Sequence, residues 1–159
     1  MKNKSILFAT QSAMIAALYV VLMVVFAPSS SAPVQVRIAE ALTILPYFSS
    51  SAIPGLFLGC LVGNVLVGNP LTDIIFGSLA TLIGAVLTHL LRKRSKFFAP
   101  LPPILSNAII IPFVLRFTGV NLPIPYLMLT IGVGQIISCG FLGMILTALE
   151  KYRYKIFKI

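Results

Sequence analysis

Long apolar runs, broken by short clusters of Pro, Gly, Ser and charge, divide the chain into six segments at about residues 5–27, 36–48, 53–67, 71–91, 102–117 and 123–149. The first is long enough to cross roughly 30 Å of hydrocarbon at about 1.5 Å per residue. No A-x-A cleavage site precedes the loop at 28–33, so the run reads as a retained span and not as a signal peptide. The second and third segments hold only about 13 to 15 residues each, roughly 20 Å of helix, and neither spans a bilayer alone with its sides facing lipid. Pro46 and Pro54 flank the serine turn at 49–51 between them. Backbone groups freed by proline are tolerated at depth only where protein or a cavity covers them. Short, interrupted segments that carry polar residues point to a binding site in the outer leaflet; bilayer thinning and tilt is the alternative.

Composition fixes the class. The 159 residues predict a single domain, and 58% hydrophobic with 9% charged residues places that domain in a membrane as an all-α protein. A formal charge of +9 invites a nucleic-acid reading, but the basic residues gather at segment ends and form no stripe on an amphipathic frame. Lys2 and Lys4 precede the first run, Arg92, Lys93, Arg94 and Lys96 follow the fourth, and Lys151, Arg153, Lys155 and Lys158 follow the sixth. Six crossings put all three clusters on one side, which the positive-inside rule makes the cytoplasm, with both termini there. Only Arg37 and Arg116 are left over, at outer helix ends. An odd number of spans would strand one terminal cluster outside.

The polar residues inside the apolar runs are the candidates for chemistry. Arg37 and Glu40 stand three residues apart in a chain with three acidic residues in all. A charge near the bilayer centre costs roughly 2.5 to 3.5 kcal/mol on insertion scales, and those that persist face protein, a partner or a polar cavity. The bland reading is an ion pair between the two that neutralises itself; the functional one is a clamp open to the outer face, in which Glu40 accepts from a ligand. Asp73, near the outer end of the fourth segment, is either an N-terminal helix cap or part of the same site, with Arg37, Arg116, water or a bound cation as countercharge. Asn64, Asn107 and Gln135 add buried amides on the third, fifth and sixth segments, and either bond across helices or line the pocket. Phe76, Phe113, Phe117 and Tyr126 offer a stacking wall, or packing and an interfacial belt. Ala9, Ala13 and Ala17 form a small-residue stripe on one face of the first helix, suited to close approach by another helix. Cys60 and Cys139 lack metal or redox spacing and read as packed thiols. The lone His89 sits at the opposite end from Glu40 and Asp73, so no acid-base pair, nucleophile or metal set assembles, and no phosphate-binding loop occurs. The pattern predicts no enzyme, no cofactor and no catalytic residues.

The stretches VQVRIAEALTILPYF, AIPGLFLGCLVGNVLVG, DIIFGSLATLIGA and LPPILSNAIIIP, with the alanine stripe, resemble the substrate-binding S components of energy-coupling factor (ECF) transporters, specifically the QueT queuosine-precursor group. The resemblance covers most of the chain. It implies a six-helix S-component bundle in a bacterial cell membrane that binds a 7-deazaguanine such as preQ1 or queuine from outside. It also implies a membrane T component docked on Ala9, Ala13 and Ala17, with two ATPase subunits supplying energy. In that setting Glu40 suits the N1-H and 2-amino edge of a guanine. Asn107 and Arg37 suit its 6-oxo group and pyrrole edge, and Asp73 suits an aminomethyl ammonium. One departure is visible: Gly132-Val133-Gly134 is followed by Gln135, where this group often has Glu, which leaves queuine, queuosine or another deazapurine open beside a cationic one. The competing expectations are an S component for another flat heterocycle such as riboflavin, and a structural or regulatory membrane protein without a small ligand.

Overall fold

In the computed structural model, residues 2–27 and 36–146 are described; the loop at 28–33, the end of the sixth segment and the third basic cluster lie outside them. The described residues are helical throughout, without strands, and six principal helices include four that are long and apolar enough to cross a membrane. Helix α1 is Lys2–Val25, α2 Ala52–Val67, α3 Leu71–Leu90 and α4 Leu101–Phe117. The last rod runs as α5 (Ile124–Gln135), a π-helical stretch (Ile136–Leu142) and α6 (Gly143–Leu146). The predicted segments coincide with these helices to within a few residues wherever they are described.

The second segment departs from a plain α-helix. Ile38–Tyr47 is a 3₁₀ helix, with every residue from Ala39 to Pro46 buried. Runs of this kind rarely exceed three or four residues, because 3₁₀ hydrogen bonds are poorly aligned and side chains at i and i+3 eclipse. Here the eclipsing follows the sequence. Arg37, Glu40, Thr43 and Pro46 recur every third residue, so three residues per turn stack Glu40 and Thr43 along one edge and leave the apolar positions to the others. The Thr43 hydroxyl donates to the Glu40 carbonyl at 2.6 Å, tying successive turns together. The short segment is therefore a central strut, enclosed by other helices as its length demanded.

Contacts among the surrounding helices frame that strut. On α2, Gly55, Gly59 and Gly63 present a smooth ridge to α1: a Cβ on Gly55 would stand 2.8 Å from the Ser12 carbonyl oxygen, and one on Gly59 2.8 Å from Tyr19 Cβ. Small residues at a spacing of four allow helix backbones to approach this closely, a route to association where lipid supplies no hydrophobic drive. At the lower end of the strut, the Ser12 hydroxyl donates to the Ser51 carbonyl at 2.8 Å, and the Ser51 hydroxyl donates to Gln11 Oε1 at 3.1 Å. There too His89 Nδ1 donates to the Pro46 carbonyl at 2.8 Å, with Arg92 lying against the same imidazole. Ile15, Tyr19, Leu42, Ile44, Leu45, Phe48 and Leu56 pack as the main core around it. A smaller core of Ala80, Ile111, Leu127 and Ile131 joins α3, α4 and α5.

Candidate functional site

The 3₁₀ edge delivers Glu40 to the meeting point of α1, α3 and α4. Its carboxyl group is fully buried. The Tyr19 hydroxyl donates to Oε1 at 2.6 Å, the Thr81 hydroxyl reaches the same oxygen at 3.5 Å, and Asn107 Nδ2 donates to Oε2 at 3.4 Å. A carboxylate taken out of water costs several kcal/mol unless its oxygens are satisfied. Tyr19 and Asn107 donate to the two oxygens from α1 and α4, while the Thr81 hydroxyl on α3 shares its one proton between Oε1 and the nearer Gly77 carbonyl at 3.1 Å; the short Tyr19 contact has the length of a charge-assisted bond.

Arg37, one turn away, does not pair with Glu40. Its guanidinium meets Asp73 Oδ2 at 3.4 Å, across from the 3₁₀ helix to α3. The self-neutralising pair is thus replaced by a long-range one, and among the countercharges open to Asp73 it is Arg37 that takes the place; Arg116 is exposed and points to Asn121 Oδ1 at 3.5 Å. Nor does Asp73 cap its helix: Pro70 occupies the N-cap, no side chain bonds there, and Asp73 Oδ1 is buried without a hydrogen-bond partner. Gly77 leaves that oxygen room, since a Cβ there would lie 3.3 Å from it and 3.7 Å from Asn64 Nδ2.

The three amides take different places. Asn107 is in direct contact with Glu40. Asn64 is fully buried, donates to Cys60 Sγ at 3.3 Å and accepts from Asn69 at 2.7 Å, so it also closes the outer end of α2. Gln135 accepts from Cys139 Sγ at 2.9 Å, and that thiol also lies 3.4 Å from the Glu40 carbonyl oxygen. The π-helical stretch beginning at Ile136 sets Cys139 beside the strut; such widened turns recur at functional sites. Both cysteines are free and buried, and Cys60 Sγ lies 3.4 Å from the Thr81 hydroxyl, so the thiols knit the site together as polarizable packing.

Two features depart from the sequence reading. The proposed stacking wall is elsewhere: Phe76, Phe113, Phe117 and Tyr126 are all exposed, and the three phenylalanines line an outward groove between α3 and α4. Aromatics at the ends of membrane helices are drawn to the bilayer boundary, and nothing polar holds these inward. The aromatic that does reach Glu40 is Tyr19. Its signal was available, because it lies two residues, or about 200°, around the helix from Ala17 and so on the far side of α1 from that alanine. Ala9, Ala13 and Ala17 are themselves exposed, on the face of α1 turned away from α2. Beside Arg37, Tyr19, Met23 and Phe26 enclose a cavity of about 10 Å³, room for one water at most.

Comparison with known proteins agrees with this architecture. No solved structure matches the chain. A curated relative, the queuosine precursor transporter QueT of Lactococcus lactis subsp. cremoris (strain MG1363), is 36% identical over 88 residues. That alignment covers 53% of the chain and spans half the length of the relative. The QueT transporter family matches residues 9–151, a range that includes the alanine stripe, the 3₁₀ helix and every polar residue around Glu40. Four long apolar helices and a transporter family make this an integral membrane protein. With nearly its whole length matched, the chain belongs to the QueT transporter family.

Proposed function

We propose that the chain is the substrate-binding S component of an ECF-type importer in a bacterial cell membrane, with six crossings and both termini cytoplasmic, and that it takes up a queuosine precursor of the 7-deazaguanine class. The observation that carries this reading is the buried Glu40 carboxylate held by Tyr19, Thr81 and Asn107. A guanine edge offers N1-H and 2-amino donors in parallel, and a carboxylate accepts both at once. Substrate enters by exchange, its two donors taking over from Tyr19 and Asn107, so no charge is left unsatisfied at the end. Arg37 addresses the carbonyl side of the ring. Asp73 Oδ1, buried and without a partner, accepts from an aminomethyl ammonium. Asn64 and Gln135 border the pocket from α2 and α5.

The exposed stripe Ala9, Ala13 and Ala17 is then the docking face for the T component, to which two ATPases lend the energy. Its support is that α1 uses its other face for α2 and for Glu40, leaving the small residues unburied. Ala13→Trp is expected to abolish co-purification with the T component and spare ligand affinity.

Thermal shift of the purified protein with 7-aminomethyl-7-deazaguanine and with queuine tests the substrate. A ligand at a hundred times its Kd stabilises by about 2.7 kcal/mol. Glu40→Gln is expected to remove that shift while the protein stays folded. No shift with either compound on folded wild-type protein overturns the substrate assignment, and an unchanged shift in Glu40→Gln overturns the role of Glu40.

A further inference from the structure

Helices α3 and α4 approach closely at Gly84, where a Cβ would stand 2.8 Å from Pro103 Cα. On the outer surface lies an apolar groove of about 580 Å³ lined by Ile83, Leu87, Leu90, Leu101, Leu105 and Ile109. Leu87, Leu90, Leu101, Leu105 and Ile109 are each more than two-fifths exposed, so no side chain of the bundle fills it. From Leu91 to Ile83 the groove descends about 12 Å along α3, close to the roughly 15 Å depth of a single leaflet.

The end of the groove is basic. Leu91 passes directly into Arg92, Lys93 and Arg94, and Lys96 follows before the chain returns at Leu101, with no acidic residue between. Arg92 leans on His89, while Lys93 and Arg94 are exposed, two and three residues beyond Leu91, the last groove residue on that side. Phe97 and Phe98, at 72% and 52% exposure, stand beside them as residues of the headgroup boundary do. An apolar trough one leaflet deep, closed at its polar end by a run of cations, matches an anionic phospholipid in both halves. Basic pockets between membrane helices bind such headgroups.

We infer that the α3–α4 groove is a specific site for one anionic phospholipid, its acyl chain lying along Leu87, Leu105 and Ile109 and its phosphate held by Lys93 and Arg94. The occupant is a bilayer lipid and not a free phosphate, because the trough contributes half of the recognition. This inference is independent of what Glu40 binds.

Native mass spectrometry of the full chain, released from micelles containing equal phosphatidylglycerol and phosphatidylcholine with identical chains, tests it. One phosphatidylglycerol is expected to remain preferentially bound. Each basic residue near an anionic surface contributes on the order of fivefold, so Lys93→Gln with Arg94→Gln is expected to cut the preference by more than about tenfold. Leu105→Trp, which fills the trough, is expected to lower retention of the lipid with the charges intact, and glycerol phosphate alone is expected not to bind. Lys4→Gln, at the far basic cluster, is expected to change nothing. Equal retention of the two lipids, a preference that survives loss of Lys93 and Arg94, insensitivity to Leu105→Trp, or an equal loss in Lys4→Gln each overturns the site.

Discussion

Helix α1 makes two seams from opposite chemistry. Along the body of α2 the seam is dry, three glycines at a spacing of four against Ser12, Ala16, Tyr19 and Met23, with fixed atoms crowding Gly55 and Gly59 and only the flexible Met23 thioether crowding Gly63. Toward the 3₁₀ helix the seam is polar, with Tyr19 on Glu40, and a further polar contact joins Ser12 to Ser51 at the start of α2. A dry seam in lipid depends on shape, because the membrane offers apolar partners as good as the protein's own. A polar seam depends on matching donors to acceptors, which another molecule with the right donors is able to imitate. The first kind fixes helices in place; the second can be exchanged. One helix thus carries both a contact matched by shape and one matched by donors and acceptors.

The comparison breaks most completely at Gly59. Gly59→Leu has the Ala16 carbonyl oxygen 3.0 Å from its Cβ and Tyr19 Cβ closer still, and both belong to the facing rod. Because backbone cannot step aside, loss of monodisperse folded protein is expected on size-exclusion chromatography. Arg37→Gln comes next. It leaves Asp73 buried without its cation, a situation that costs about 3 to 5 kcal/mol, and the melting temperature in detergent is expected to fall accordingly; adding Asp73→Asn is expected to recover most of the loss. Equal melting temperatures for the single and double variants would show that the pair is not coupled.

Tyr19→Phe removes one hydroxyl from the polar seam without touching the dry one. A hydrogen bond to a charged group contributes about 1.5 to 3 kcal/mol, so destabilisation within that range is expected by thermal unfolding. The smallest effect belongs to Gly63→Ala. The nearest atom there is Met23 Sδ, the far end of a flexible side chain, at 2.7 Å. A shift of that thioether accommodates the methyl, and a change under about 1 kcal/mol is expected. A Gly63→Ala penalty as large as that of Gly59→Leu would mean that the α1–α2 seam responds to residue type and not to which atom is approached.

Much of this was legible from sequence because lipid makes polarity expensive. Six segments and a cluster of Arg37, Glu40 and Asp73 follow from where apolar runs stop and charges persist; of the two short segments only the 3₁₀ helix is enclosed, because α2 leaves Leu58, Val62, Val65 and Leu66 exposed. The pairing of those charges did not follow. Whether Arg37 meets Glu40 three residues on or Asp73 thirty-six residues on depends on tertiary placement, and the spacing along the chain leaves both partners open. The period of three in Arg37, Glu40, Thr43 and Pro46 was written in the chain, but a long 3₁₀ helix is rare enough that the α period takes precedence by default. Gly55, Gly59 and Gly63 carried the same small-residue signal as the alanines and were overlooked beside them. Tyr19 was hidden in an apolar run because a tyrosine ring is apolar everywhere except its tip. The phenylalanines misled for the complementary reason: in a membrane, outward is also apolar.

A carboxylate saturated from three directions has one more effect. The bundle is its own competitor for Glu40, so any visitor is weighed against Tyr19, Thr81 and Asn107 and not against empty space. Water, alkali cations and solutes with a single donor replace one contact and forfeit others. On the proposed role of Glu40, a rigid partner that presents two donors side by side would break even. The closed network would then act as an admission threshold, set by donor count before any shape is tested.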